Sequence, residues 1–377
     1  MAAVTVSEVY DAVLTTTLRN MAATLRDNIT YGSKYARYLQ AHGRIKSWTG
    51  GERIKVPLMY GLNSTADIYS GYGIITTTPQ DGITSAFYPL SQMAVSISIS
   101  GQEERQNRGR HALISLFGSK TEQAQASGIQ LMNNCLVMGR LSSGASGSVN
   151  QFVARVGKTD NSADGPLPLP ALIDANATRS VAIGSINGAN EPYWRNQTRT
   201  FSGTTFQSYK NNKGRIYNDC SKGIFGHPDL ILSDQLVWEL YFNSLNSQER
   251  YIVDRQRAID VLGGPDDEGL MFRGAVHIWD EVVPDVGAST ATNETETGLG
   301  DGVGTYLQSG AHGTEYHLNS QALELHVDDG RNWEPTPFVK PGNGDFRVGQ
   351  LLWMGQHVVN NRRKLGVMRD IDNSIAS

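Results

Sequence analysis

In two stretches of the chain every second residue is apolar. In "GGERIKVPLMYG" the apolar positions are Ile54, Val56, Leu58 and Tyr60. In "MAVSISISG" they are Val95, Ile97 and Ile99. Neighbouring side chains of a β-strand point to opposite faces, so this alternation predicts two half-buried strands.

Nearly thirty residues rich in Gly, Thr, Ser and Tyr separate these two strands. A hairpin turn normally takes about 2 to 5 residues, so a connection of this length is expected to be functional or disordered. Its aromatic side chains predict a surface that contacts another molecule: Tyr60, Tyr69, Tyr72, Phe87 and Tyr88. The alternative is a floppy insertion that folds back on its own domain.

A helix is predicted directly after the second strand. Ser100 followed by Glu103 matches the capping box that opens helices, and the helix could continue to Gly139. Gly109, Gly118 and Gly128 predict bends or a break within it. Its expected apolar side consists of Leu113, Ile114, Leu116, Phe117, Ile129, Leu131, Met132, Leu136 and Val137.

The two ends of the chain differ in pattern. Residues 4 to 46 have weak helical spacing, which indicates either an arm with one or two helical pieces or the first helix of a globular domain. Residues 343 to 371 contain the apolar run "FRVGQLLWMG" followed by Arg362, Arg363 and Lys364. Terminal segments usually fray, so such an apolar run must be held by the rest of the fold.

The middle of the chain is a second unit, at about 171 to 325, after a Gly- and Ser-rich junction at 141 to 170. "HPDLILSDQLVWELYFNSL" predicts a strand that ends at Ser233, whose side chain caps a helix. "LMFRGAVHIWDEVVP" predicts two strands around a turn at Gly274, and the Gly- and Thr-rich residues 287 to 306 predict a surface loop.

Composition excludes several function classes. A net charge of −4, from 33 basic and 37 acidic residues, argues against a protein that reads nucleic-acid sequence. Cys135 and Cys220 are the two cysteines, which suggests neither a disulfide framework nor a zinc site. The sequence shows no signal peptide and no apolar run long enough to span a membrane, so we expect neither secretion nor membrane insertion.

Candidate catalytic and metal-binding motifs are weak. "HGTEYH" places His312, Glu315 and His317 close together without the spacing of a helical zinc motif, so a polar loop that enters a strand is expected there. The acids of "GGPDDEG" (266 to 268) and "DDG" (328 and 329) lack calcium-loop spacing, and "GLGDGVG" lacks the lysine of a phosphate loop. We therefore expect no catalytic residue, metal or cofactor.

Three stretches carry a resemblance to a known family: "ALIDANATRSVAIGSINGANEPYWRNQ", "HPDLILSDQLVWEL" with "MFRGAVHIWDEVVP", and the last stretch from "NSQALELHVDDG" to "RRKLGVM". With the order of long hairpin, long helix, α/β unit and returning strands, the chain resembles the major capsid proteins of tailed bacteriophages. The resemblance implies an α+β, HK97-type fold. In it, 1–49 is an N-terminal arm, 50–100 the extended hairpin called the E-loop, 101–170 the spine helix and the start of the peripheral domain, 171–325 the axial domain, and 326–377 the C-terminal return to the peripheral domain.

The resemblance also implies a structural function and no enzymatic activity. The chain would assemble with itself into pentamers and hexamers of an icosahedral shell around non-specifically held double-stranded DNA. Portal and scaffolding proteins would be partners, with a decoration protein in some shells, and the protein would lie in the virion after assembly in the host cytoplasm. "FRVGQLLWMG" would be a central strand, and Arg362, Arg363 and Lys364 would face a neighbouring subunit or the genome; a solvated turn is equally consistent with these three.

Some family members join subunits covalently through an E-loop lysine. Here Lys55, at the hairpin base, is the only lysine between 50 and 100, so we expect no such crosslink. The short segment before the hairpin favours a separate scaffolding protein. Two alternatives are an encapsulin-like compartment of the same fold and, from another class, a carbohydrate-active hydrolase with a carboxylate pair.

Overall fold

A computed structural model describes residues 33–75, 77–106, 116–137, 140–141, 151–155, 165–174, 182–223, 226–245, 270–283, 303–307, 312–340, 342, 344–372 and 375. The described residues belong to two compact units. The smaller contains Val95–Gly128 and Pro335–Leu351, and the larger contains Gly32–Ala94, Ile129–Glu334 and Leu352–Ser377.

The described helices and strands are numbered along the chain. The helices are α1 Lys34–Ala41, α2 Gly101–Gln106, α3 Leu116–Val137, α4 Leu169–Leu172, α5 Phe206–Cys220 and α6 Gln235–Ser244, with 3₁₀ turns at Pro192–Trp194 and Arg362–Lys364. The strands are β1 Ile45–Trp48, β2 Arg53–Met59, β3 Ile83–Pro89, β4 Ser91–Ser100, β5 Arg140–Leu141, β6 Gln151–Arg155, β7 Ala182–Ile183, β8 Ile186–Asn187, β9 Gln197–Thr200, β10 Leu230–Ser233, β11 Leu270–Phe272, β12 Ala275–Trp279, β13 Val303–Leu307, β14 His312–Leu318, β15 Leu323–Pro335, β16 Phe346–Val359 and β17 Gly366–Asp372.

A mixed six-stranded sheet, in the order β11-β12-β10-β14-β17-β9, forms the centre of the larger unit. Leu230 and Leu232 of β10 face one apolar cluster, whereas Ile231 between them packs with Tyr217 of α5 on the opposite face. Both faces of the sheet are therefore covered, which explains why β10 is apolar throughout rather than alternating.

The predicted elements around this sheet are present, with one correction. β11 and β12 form the expected antiparallel pair, and Arg273 and Gly274 make the turn with positive φ angles of 47° and 97°. The helix cap, however, is Asp234 rather than Ser233: the Asp234 carboxylate accepts from the amide of Val237 at 3.1 Å. Ser233 is the last residue of β10 and points into the core.

A second sheet has the strand order β1-β15-β16-β4. β16 lies inside this sheet, between β15 and β4, as predicted for the apolar stretch near the end of the sequence. Trp353 of β16 is 1% exposed, so strand pairing and burial together hold this stretch in place. On the other edge β1 runs parallel to β15, with Ile45 opposite Leu325.

The hairpin is shorter than predicted. β2 pairs with β3 in antiparallel register from Arg53 opposite Pro89 to Met59 opposite Ile83. The predicted return strand, β4, belongs to the four-stranded sheet instead. Buried Ala86 and Tyr88 alternate with more exposed neighbours in β3, but Thr and Ser in that segment hide the alternation in the sequence.

Two described helices, α2 and α3, lie within the range of the predicted long helix, and residues 107 to 115 between them lie outside the described residues. The capping box is confirmed. Glu103 accepts from the amide of Ser100 at 3.0 Å, and the Ser100 hydroxyl accepts from the amide of Glu103 at 3.1 Å. Gly118 and Gly128 both lie inside α3.

Two further expectations fall partly outside the described residues. Of the N-terminal arm, residues 33 to 49 are described and include α1 and β1. Of the loop expected at 287 to 306, residues 287 to 302 are not described, and Val303 begins β13. The expectation of a loop is therefore wrong for 303 to 306, which pair with β6 and are held in a three-stranded sheet.

Candidate intersubunit surface and buried polar cluster

The tip of the hairpin, residues 61 to 82, carries apolar side chains in full contact with solvent. Ile68 is 96%, Tyr72 106% and Ile74 97% exposed, values that approach those of an unfolded chain. Other strongly exposed apolar side chains at or beside the tip are Met59, Leu62, Tyr69, Ile75 and Ile83. Such a concentration of exposed apolar groups is typical of a surface that binds a partner.

Short-range polar contacts give the tip its shape. The two limbs approach closely at Gly61 and Gly82, where the amide of Tyr60 donates to the carbonyl of Gly82 at 2.9 Å. Further out, the Ser64 hydroxyl donates to the Gln80 side chain at 2.8 Å. The tip is therefore organised without burying its own apolar side chains.

The root of the hairpin is fixed to the larger unit. Tyr88 is fully buried, and its hydroxyl donates to the carbonyl of Val359 at 2.9 Å. The amide of Phe87 donates to the carbonyl of Gly184 at 3.0 Å, and the ring of Tyr60 stacks on that of Tyr193 with 4.9 Å between centroids. These contacts separate an anchored root from an exposed tip.

The five predicted contact residues consequently differ in how far their side chains are exposed. Tyr69 and Tyr72 lie on the exposed tip, and Phe87 is 37% exposed beside Lys55. Tyr60 is half-buried against Tyr193. The prediction for Tyr88 is wrong, because its side chain is buried within its own chain and offers no surface to a partner.

The three basic residues after β16 also differ in how far they are exposed. Arg362 is 2% exposed, and its guanidinium donates to the carbonyls of Leu172 at 2.9 Å and Trp194 at 3.0 Å, and to Oδ1 of Asn196 at 2.9 Å. The prediction that Arg362 faces a neighbour or the genome is therefore wrong: it joins three segments of its own chain. Arg363 is exposed and Lys364 is half-buried.

A buried polar cluster lies between α5 and the six-stranded sheet. "HGTEYH" forms β14 rather than the expected loop, and Glu315 and His317 point to the same face of it. Nζ of Lys213, from α5, lies 3.1 Å from Oε1 of Glu315, and Nε2 of His317 lies 2.9 Å from that oxygen. The Tyr209 hydroxyl donates to Oε2 of Glu315 at 2.7 Å.

His277 completes the cluster on the other side of Lys213. Its Nδ1 lies 3.1 Å from Lys213 Nζ, and its Nε2 lies 2.9 Å from Oγ of Ser233. The Ser233 hydroxyl in turn donates to the carbonyl of Asp234 at 2.9 Å. All of these side chains are fully buried, so the cluster does not form a cleft that an external substrate could enter.

Burial and charge perturb the acid–base properties of the cluster. Burial lowers the pKa of Lys213 to about 8 against the opposing attraction of Glu315. Burial alone would raise the pKa of Glu315, but the charge of Lys213 and the contact with His317 hold it below its ordinary value. Burial, followed by the charge of Lys213, also lowers the pKa of His277, which is therefore neutral near pH 7.

The described residues contain no cluster of His, Cys, Asp or Glu that could hold a metal ion. Asp328 and Asp329 lie on β15, whereas 266 to 268 and most of "GLGDGVG" lie outside the described residues. Among the helices that the structure describes, none is long and apolar enough to cross a membrane.

Sequence reasoning missed Leu62, Ile68 and Ile74 as part of the exposed tip. A signal was present, since these apolar residues interrupt a Gly-, Ser- and Thr-rich stretch without strand or helix spacing. It also missed Lys213 and His277, which are far apart in sequence and are brought together by the fold.

Comparison with known proteins gives matches at the level of structure alone. No family model and no curated protein matches the sequence. The cyanophage A-1(L) capsid has a TM-score of 0.58 at 14% identity, covering 96% of this chain and 99% of that one. The capsid of a native GTA particle has a TM-score of 0.51 at 8% identity, covering 96% and 98%.

An encapsulin has the same architecture. The SrpI encapsulin complex of Synechococcus elongatus matches with a TM-score of 0.51 at 10% identity, covering 99% of this chain and 98% of that one. The likeness runs over nearly the whole length of each chain rather than over one part of it. The chain has the α+β, HK97-type fold found in tailed-phage capsids.

Proposed function

We propose that this chain is the major capsid protein of a tailed bacteriophage and assembles into pentamers and hexamers of an icosahedral shell around double-stranded DNA. The observation that carries the proposal is the match to phage capsid structures over nearly the full length of both chains. The exposed apolar tip supports it independently, because such a surface is costly for a protein that remains a monomer.

The hairpin is the E-loop in this proposal, and its tip contacts a second copy of the chain. Tyr69 and Tyr72 would contact it together with Leu62, Ile68 and Ile74, whose side chains are all strongly exposed. Removing apolar side chains from water favours association, and part of that gain offsets the freedom that the two surfaces lose, so these five side chains contribute to the contact without fixing its strength. Because the root of the hairpin is anchored, force on the tip is transmitted to the rest of the larger unit.

The remaining assignments follow the same fold. Residues 101–170 contain the spine helix, 171–325 the axial domain, and 326–377 the return to the peripheral domain. Arg363 and Lys364 would face a neighbouring subunit or the DNA, which the shell holds without reading its sequence. Portal and scaffolding proteins would direct assembly in the host cytoplasm, and a decoration protein is a further expected partner of the virion.

No covalent crosslink between subunits is part of the proposal. Lys55 is the only lysine between 50 and 100, and its amino group lies 5.7 Å from the ring of Phe87 near the hairpin root. It therefore lies on β2, outside the tip that would reach a neighbour. Shells boiled in denaturant should run as single chains on a gel, and a ladder of oligomers would contradict this part of the proposal.

Expression of the chain alone and with its neighbouring genes tests the main proposal. Electron microscopy and size-exclusion chromatography should show closed shells or rings of five and six subunits. In a matched pair, Tyr72→Ser with Ile74→Ser should prevent assembly, whereas Thr77→Ser and Thr78→Ser on the same tip should not. A wild-type chain that remains a monomer under both conditions would overturn the proposal.

A second candidate function is an encapsulin-like compartment, which the match to the SrpI encapsulin supports. The contents of purified particles discriminate between the two. Packaged double-stranded DNA would support the capsid, and an enclosed protein with no DNA would support the compartment. The capsid and encapsulin matches given above lend no comparable support to the hydrolase alternative.

A further inference from the structure

Lys213 and Glu315 form an unusual pair at the centre of the buried cluster. Both side chains are fully buried, and the Lys213 amino group lies 4.0 Å from the ring centroid of Tyr241, 5.3 Å from Phe272 and 5.5 Å from Tyr209. Withdrawing two charges from water costs several kcal/mol per ion, only part of which their attraction returns. This cost would disappear if the two groups reacted to form a neutral bond.

We propose that Lys213 and Glu315 condense to an amide within the chain. The Lys213 nitrogen lies 3.1 Å from Oε1 of Glu315, which is bonded to Cδ, so the two groups that would react are already held side by side. The nitrogen attacks Cδ of Glu315, the Cδ–Oε1 bond breaks, and one water molecule is released.

The nitrogen must first lose a proton, and His277 is placed to accept it. Nδ1 of His277 lies 3.1 Å from the Lys213 nitrogen, while Nε2 of the same ring is held by Ser233. Burial lowers the pKa of Lys213 to about 8, which makes the neutral amine accessible near pH 7. When Lys213 loses this proton, it also loses the positive charge that keeps Glu315 ionised.

The carboxyl group is also prepared for reaction. The Tyr209 hydroxyl, which donates to Oε2 at 2.7 Å, can stabilise the negative charge that develops on this oxygen. His317, 2.9 Å from Oε1, is placed to hold the leaving oxygen by a hydrogen bond and keeps its own proton. One ammonium proton stays on the amide nitrogen. The second passes directly to Oε1, and His277 returns the first through the nitrogen to the same oxygen, which leaves as water, so both histidines end neutral and no oxidant is needed.

The bond would join α5 to β14 inside the six-stranded unit. It differs from a crosslink between subunits because both residues belong to one chain, so it produces no ladder on a denaturing gel. Full burial of Lys213 and Glu315 keeps bulk solvent away from the amide and so protects it from hydrolysis after the released water has left. The inference goes beyond the proposed shell function and does not depend on it.

Intact-mass spectrometry of the purified full-length chain tests the proposal. The wild-type chain should weigh about 18 Da less than its sequence, the mass of one water. Trypsin should not cleave after Lys213, and one peptide should contain both 213 and 315. A wild-type chain at its sequence mass, or a water loss mapped to other residues, would overturn the proposal.

Two lysine variants on the same helix provide the controls. Lys213→Arg keeps a positive charge but cannot form this amide, so it should show the full sequence mass, whereas Lys210→Arg should retain the loss. If Lys213→Arg does not fold, the wild-type peptide map decides alone. Free subunits and assembled particles are measured alike, so failure to form shells would not be mistaken for failure to form the bond.

Discussion

Replacing Arg362 with methionine should lower the stability of the larger unit sharply. Arg362→Met keeps most of the apolar stem but removes the donors to Leu172, Trp194 and Asn196. A buried acceptor left without a partner costs about 1 to 3 kcal/mol, so we expect the three acceptors together to cost about 3 kcal/mol or more.

The assay is urea unfolding of unassembled subunits, followed by tryptophan fluorescence. Arg363→Met is the matched control, because Arg363 is the next residue in sequence and is exposed, so its replacement should change stability by less than about 0.5 kcal/mol. The reasoning would be refuted if both variants lost the same small amount. That result would mean that water can replace the guanidinium among the three acceptors.

Three further predictions concern the hairpin root and the core. Tyr88→Phe removes the hydroxyl that donates to Val359, and should cost about 0.5 to 1.5 kcal/mol in the same unfolding assay without changing the number of subunits per particle. Gly184 and Gly43 have similar φ angles, 61° and 62°, but a Cβ on Gly184 would meet Ala86 at 2.8 Å, whereas one on Gly43 would meet nothing within 4 Å. Gly184→Ala should therefore lower the melting temperature clearly more than Gly43→Ala. Equal shifts in melting temperature would contradict the close approach of Ala86 to Gly184. Burial lowers the pKa of His357 to about 4, from about 6.5 in the unfolded chain, so its contribution of about 3 kcal/mol to the free energy of unfolding is complete above pH 6.5 and is lost as the pH falls to 4. The urea midpoints of wild type and His357→Asn should therefore converge as the pH falls across this range. Parallel curves would rule out His357 as the origin of the pH dependence.

Local patterns predicted those elements whose structure depends on near neighbours. Alternation identified β2 and β4, and Ser100 with Glu103 identified the start of α2, because these signals require only a strand period or one helical turn. The cap of α6 was displaced by one residue, from Ser233 to Asp234. Both side chains can cap a helix, but Ser233 is the last residue of β10, so Asp234 caps α6.

Pairing over long distances was not predictable in the same way. The sequence does not show that β2 pairs with β3 rather than β4, since β4 has the clearer alternation and pairing depends on the surrounding core. Likewise, Tyr88 and Arg362 look like surface residues because aromatic and basic side chains are usually partly exposed. Their burial depends on the partners Val359, Leu172 and Trp194, which lie far away in the sequence.

The positions of β16 and β17 constrain when the chain can fold during synthesis. β16 separates β15 from β4, and β17 separates β14 from β9, so each sheet lacks an interior strand until these last strands have been made. A ribosome that stops before residue 346 releases a chain in which β4 and β9 have no partner strand in these sheets. Incomplete chains therefore cannot present a finished subunit, and the proposed shell would incorporate only products of completed translation.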